Sequence, residues 1–182
     1  MSHIMLDLET LGTKPGCVII SIGAVAFDPA TKAIGDGFYA VVNQGSCEAA
    51  GLKTDKGTVG WWMRQSDEAK KVLIESRNGG MSLADSLDAF SEYLGAFSKS
   101  VRIWGCGSDF DNVILSHCYA ATSKRLPWQY TSNRCYRTLK ALVPVEMKRE
   151  GTYHNAYDDA LSQAKHANEI LNKLAGLLAP AP

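Results

Sequence analysis

The sequence predicts an α/β domain built on a mixed five-stranded sheet flanked by helices. Three observations carry this. The first third holds three apolar or alternating runs separated by short turn clusters, and the remainder alternates helical and strand-like segments. The chain has 182 residues, 46% apolar and 21% charged, which is enough to bury one sizeable core.

Each element has its own signal. Residues 3–9 alternate, with Ile4, Leu6 and Leu8 on one face. A turn cluster at 12–16 contains Pro15 between two glycines. Residues 18–27 are β-branched and apolar and suit a central strand; 28–32 turn again, and 37–43 give a third strand with Phe38, Tyr39, Val41 and Val42. Strands joined by such short turns form an antiparallel meander. A helix is expected over 58–65. Ser66 caps another carrying Ala69, Val72 and Leu73. Ser82 and Asp85 form a capping box that opens a helix through Phe97, whose buried stripe is Leu83, Leu87, Phe90 and Leu94. Then come a short strand at 101–105, a helix at 110–121, a fifth strand within 129–133 and a short helix at 137–143 stopped by Pro144. A long helix closes the chain at 155–178. Residues 1–178 read as one domain, and 179–182 as a short tail that frays.

Charge and cysteine content narrow the class. Lys plus Arg and Asp plus Glu both number 19, which argues against a disordered tail or a strongly basic architectural protein. Nucleic acid stays open as a substrate, because local charge matters more than the total. Asp7 and Glu9 interrupt what a signal peptide would need to be apolar. The longest nearly apolar run, 17–27, has 11 residues, about half of the ~20 that span a membrane. A cytoplasmic protein with no membrane association is expected. Its cysteines, Cys17, Cys47, Cys106, Cys118 and Cys135, are odd in number and lack CxxC spacing, so reduced thiols are expected instead of disulfides or a zinc site.

Three segments carry chemistry. Asp7 and Glu9 stand at i and i+2 of the first strand and therefore share a face. Like charges held together repel, burial worsens this, and a divalent cation relieves it. Taken alone, the pair would be read as solvated at the strand's end. Asp109 and Asp111 follow the strand at 101–105, where active sites of open α/β sheets gather. Ser108 or Asp109 is expected to cap the following helix. His154 precedes the last helix, which opens with Asp158 and Asp159, about 100° apart around its axis. Carboxylates from three segments beside a histidine favour catalysis.

The same three segments resemble the exonuclease motifs of the DnaQ-like, or DEDDh, 3′–5′ exonucleases, which adopt a ribonuclease H-like fold. The DxET motif is matched by Asp7, Glu9 and Thr10, the FD motif by Phe110 and Asp111, and the HxAxxD motif by His154, Ala156 and Asp159. The match runs from residue 4 to about 170. The stretches 7–12, 22–28, 58–62 with Gln65, 104–107 and 137–139 are similar to a phage and prophage branch that includes exodeoxyribonuclease VIII-like proteins and the phage exonuclease DexA. Cys106 departs from that branch, which commonly carries Asn there.

The resemblance implies one DEDDh exonuclease domain over 1–178, with Asp7, Glu9, Asp111, His154 and Asp159 catalytic. Two Mg²⁺ or Mn²⁺ ions are expected, bridged by Asp7, with Glu9 and Asp159 completing one site and Asp111 holding the other. His154 is the expected general base. The expected substrate is the 3′ end of single-stranded DNA or RNA, cut to nucleoside 5′-monophosphates. Thr10 and Leu11 are expected to meet the terminal nucleotide, beside Phe110. The stretch 122–140 carries Lys124, Arg125, Arg134, Arg137 and Lys140 with no acid, interleaved with Trp128, Tyr130 and Tyr136. It suits a single strand, with Arg134 and Arg137 as candidate contacts. A catalytically silent nucleic-acid-binding module and an oligoribonuclease-like hydrolase of very short oligonucleotides remain alternatives, and the resemblance admits a homodimer. Trp61 and Trp62 are both expected in the core, and His3, His117 and His166 outside the chemistry.

Overall fold

The computed structural model describes residues 1–97 and 100–178, so the expected tail at 179–182 lies outside the described residues. Strands β1 (His3–Thr10), β2 (Ile19–Asp28) and β3 (Ala33–Val41) form the antiparallel meander. Strand β4 (Arg102–Gly105) adds parallel to β1, and β5 (Asn133–Cys135) parallel to β4, giving the order β3-β2-β1-β4-β5. The helices are α1 (Gln44–Ala49), α2 (Lys56–Trp62), α3 (Asp67–Asn78), α4 (Leu83–Gly95), α5 (Asp111–Ala121), α6 (Tyr136–Leu142) and α7 (Ala156–Leu178).

The sheet divides the core in two. On one face Ile4, Leu6 and Leu8 pack with Ile20, Ile22, Trp62, Phe90, Ile114 and Leu115, under α2, α4 and α5. On the other, Met5, Val25, Phe27 and Trp104 meet Tyr136 and Leu139 of α6 and Ala160, Ala164, Ala167 and Ile170 of α7. The alanines give α7 a thin face that lies close to the strands. Gly23, the register partner of Asp7, completes this fit. A Cβ on Gly23 would stand 2.1 Å from the carbonyl carbon of Ala156, so only glycine lets the start of α7 sit on the sheet opposite Asp7.

Several boundaries differ from the sequence expectation. Strand β3 begins at Ala33 instead of 37, because pairing Asp28 with Ala33 and Phe27 with Ile34 carries the ladder down to the turn. Helix α1 was not expected. Asn43 caps it by accepting from the Ser46 amide at 2.9 Å. The fifth strand lies at Asn133–Cys135, after a 3₁₀ turn at Tyr130–Ser132 that takes up most of the expected span. Ser82 caps α4, but the Asp85 carboxylate accepts from the Ser82 hydroxyl (2.6 Å), so this is not a reciprocal backbone box. Neither Ser108 nor Asp109 caps α5: its N-cap is Phe110, with no side-chain bond. Among the described residues no helix is long and apolar enough to cross a membrane.

Candidate active site

Strand β1 is buried on both faces, so Asp7 and Glu9, which alternate with the core residues Leu6 and Leu8, are buried as well. They open into a cleft of about 560 Å³ whose walls include Asp7, Glu9, Asp111, His154 and Asp159. The five candidate residues from three distant segments therefore converge. Ligand atoms of Glu9, His154 and Asp159 all lie within 4.8 Å of one another.

Each acid is held differently. The Asp7 carboxylate accepts from the Gln163 amide nitrogen at 2.7 Å. Gln163 stands four residues after Asp159, one helical turn on, and so shares its face of α7. Asp111 is the first residue of α5 and turns back to the sheet. It accepts from the Cys106 amide (2.6 Å) and the Leu8 amide (3.1 Å), tying the ends of β4 and β1 together. Gly105 permits this approach, since a Cβ there would lie 2.4 Å from Asn112 Oδ1. Asp159 accepts from the guanidinium of Arg149. Its neighbour Asp158 faces elsewhere and accepts from the Thr152 amide (2.7 Å), fastening the loop before α7.

His154 occupies that loop with φ of 62°, in the left-handed region that histidine tolerates better than most side chains. Its ring meets Trp61 edge-on at 4.9 Å between centroids and Trp62 at 5.9 Å.

The electrostatics follow from burial and crowding. Burial raises the Asp7 carboxyl well above the usual carboxylate range, helped by the charges of Asp111, Glu9 and Asp159 and opposed by the bond from Gln163. Glu9 is pushed up to about 8, first by burial, then by Asp159 and Asp111, with Arg149 opposing. Asp111 rises only to about 6, because the amides of Cys106 and Leu8 stabilise its anion against burial. Four acids crowded out of water, with one imidazole, form an oxygen-rich donor set that fits a hard divalent cation such as Mg²⁺ or Mn²⁺.

The expected substrate residues divide. Thr10, Phe110 and Arg137 line the cleft. Leu11 does not: it is 1% exposed in the core beside Val18, because the chain turns inward after β1. Arg134 is also outside the cleft. It projects from the edge strand β5, where its Nη1 bonds the carbonyls of Thr131 and Asn133, and it lines a separate shallow surface depression.

The basic stretch is not one patch. Lys124 pairs with Asp88 at 2.6 Å, Lys140 lies over the Tyr136 ring, and Trp128 and Tyr136 are core residues. Only Tyr130, 85% exposed, remains among its aromatics as a free ring. Of the other histidines, His3 accepts from the Trp104 indole at 3.0 Å, and buried His166 lies between Tyr136 Oη (2.6 Å) and the Val145 carbonyl (2.9 Å).

Three residues at the site escaped the sequence reading. Trp61, expected in the core, is 38% exposed and forms a cleft wall, whereas Trp62 is fully buried and donates its indole N–H to the Thr10 carbonyl at 2.9 Å. Gln163 was legible from its i+4 spacing to Asp159. Arg149 lies in an irregular connection and had no pattern to mark it.

Known proteins resemble this chain in sequence and in fold. The chain is 31% identical over 126 residues to an exodeoxyribonuclease of Enterobacteria phage T4, a match covering 63% of this chain and 54% of that protein. The chain thus spans about half the length of that curated relative. The nuclease domain of 3′hExo, a DEDDh family member bound to rAMP, superposes with a TM-score of 0.64 at 14% identity, over 94% of this chain and 92% of that one. Pop2p of S. pombe, in a form with Mg²⁺ and Mn²⁺ bound, gives a TM-score of 0.60 at 17% identity, over 93% of this chain and 82% of that one. These two likenesses speak for the fold. The family model described as the 3′–5′ exoribonuclease Rv2179c-like domain matches residues 2–171. The chain accordingly belongs to the 3′–5′ exoribonuclease Rv2179c-like domain family.

Proposed function

We propose that this chain is a metal-dependent 3′–5′ exonuclease that removes nucleoside 5′-monophosphates from the 3′ end of single-stranded DNA or RNA, alone or as a homodimer. One observation carries the reading: Asp7, Glu9, Asp111, Asp159 and His154 line a single cleft although they come from three distant segments. The working domain is residues 1–178. The five cysteines are free, as suits a reducing cytoplasm.

Asp7 would hold two Mg²⁺ or Mn²⁺ ions jointly, with Glu9 and Asp159 on the first and Asp111 on the second. Bound there, the ions would supply charge neutralisation at the phosphate and a more acidic attacking water. The chain's own groups do the rest. His154, on the loop that lines the cleft, takes the water's proton on a ring nitrogen, within 4.8 Å of the Glu9 and Asp159 carboxylates. Arg137 provides positive charge for a substrate phosphate, and Thr10, Phe110 and Trp61 frame the terminal nucleotide.

The test uses 5′-labelled DNA and RNA strands of one sequence and a dinucleotide, each with Mn²⁺ or with EDTA. Stepwise shortening from the 3′ end is expected with Mn²⁺, abolished by EDTA and by Asp7→Ala. Strands left intact in Mn²⁺ by folded protein would overturn the reading. Cleavage confined to the dinucleotide would replace it with a hydrolase of very short oligonucleotides.

A further inference from the structure

Arg149 donates to Asp159, yet no sequence motif contains it. It is not a drifting surface side chain. The Glu150 amide donates to Ser162 Oγ (3.0 Å) and the Thr152 amide to Asp158 (2.7 Å), so the backbone just after Arg149 is stapled to the first turns of α7. The guanidinium also lies 4.2 Å from the ring centre of Tyr153. Glu150, the nearest acid in sequence, is already paired with Lys165. Arg149 is therefore aimed at Asp159 from a fixed base. Asp159 is one of the residues whose ligand atoms cluster within 4.8 Å.

We propose that Arg149 is a resident rival of the divalent cation for the Asp159 carboxylate. The inference rests on the reading that this acidic cluster binds a cation. A carboxylate oxygen held by a guanidinium is a poorer metal ligand, because its charge is shared and its lone pairs are engaged. Cation binding at Asp159 must displace or share that guanidinium, so the observed affinity is the intrinsic affinity reduced by the strength of the ion pair. The same pair holds the crowded acids together, since Arg149 supplies positive charge to Asp159 and to Glu9. Arg149 thus trades cation affinity for integrity of the site.

The test is Mn²⁺ binding by substrate-free protein, read as free Mn²⁺ by electron paramagnetic resonance, with thermal melts alongside. Arg149→Gln is expected to bind Mn²⁺ about tenfold more tightly, because a positive charge beside the ligand is gone. It should melt lower than wild type in EDTA and gain more from Mn²⁺. Arg149→Lys keeps the charge and should return affinity toward wild type. Tyr153→Leu removes only the ring beneath the guanidinium and should shift affinity the same way as Arg149→Gln, by less. A purely structural role predicts the opposite sign, weaker binding in every variant. Equal or weaker Mn²⁺ binding by folded Arg149→Gln overturns the proposal; if that variant does not fold, unchanged or weaker binding by Tyr153→Leu does so. Wild-type protein that binds no Mn²⁺ removes the underlying functional reading as well, which separates the two failures.

Discussion

The two faces of β1 are built from opposite chemistry. Ile4, Leu6 and Leu8 lie against a core of branched aliphatic and aromatic side chains. Met5 begins the other face in the second core, and Asp7 and Glu9 continue it in the cleft. The carboxylates destabilise the fold wherever they sit ionised and buried. They are tolerated because the same strand is anchored from behind and paired on both edges, with β2 on one side and β4 on the other. One face supplies stability and the other chemistry, on alternate residues of one strand.

The largest effects should separate these faces. Leu6→Ala removes a fully buried side chain and should cost about 2–5 kcal/mol of stability, read by denaturant unfolding. Asp7→Asn should do the reverse. It removes a carboxylate that burial and its neighbours already disfavour, so the melting temperature in EDTA should hold or rise. Exonuclease activity should fall about a thousandfold or more, because metal-assisted charge stabilisation contributes several kcal/mol to such a step. Equal loss of stability in both variants would show that the faces are not independent.

A smaller effect concerns pH and the two ends of the strand. The Glu9 carboxyl is raised from 4.5 to about 8 by burial, then by Asp159 and Asp111. The folded protein thus holds a proton that the unfolded chain releases. With chelator present, the stability Glu9 contributes is full below about pH 4.5 and is lost as pH rises towards 8. Glu9→Gln should therefore melt progressively higher than wild type as pH climbs through that window. His3 has the opposite sign. Burial lowers it from 6.5 to about 4, so its contribution is lost as pH falls through that interval. Parallel melting curves for Glu9→Gln and wild type from pH 5 to 8 in EDTA would remove Glu9 as the cause.

The sequence showed the meander, the alternation that follows it and the acids, because those depend on local period and motif spacing. It missed what depends on tertiary placement. Helix α1 is six residues long and buries only Cys47, too little to set a period. Leu11 lies one residue past β1, so its side chain could have faced cleft or core; the Leu11 amide bonds the Val18 carbonyl at 2.8 Å and turns the chain inward. The run from Lys124 to Lys140 is basic in sequence but dispersed in space, since α6 carries its far end away from the Asp88 pair. Arg149 reaches Asp159 from an irregular segment, and no periodicity describes such a segment.

The smallest expected effect tests the same division at two adjacent residues. Trp62 is fully buried and donates to the Thr10 carbonyl, so it belongs to the stabilising face; Trp61 stands in the cleft wall with its ring against His154. Trp62→Leu should lower the melting temperature and with it everything else. Trp61→Leu should leave melting nearly unchanged, because a partly exposed ring contributes little to the core. Its loss should appear in kcat. Edge-to-face aromatic pairs contribute about 0.5–1.5 kcal/mol, so release of the imidazole should slow turnover about two- to tenfold. Trp61→Phe keeps an aromatic partner for His154 and should recover most of that rate. If Trp61→Phe and Trp61→Leu are equally slow, or if Trp61→Leu melts as low as Trp62→Leu, the ring does not hold the histidine and Trp61 belongs with the core after all.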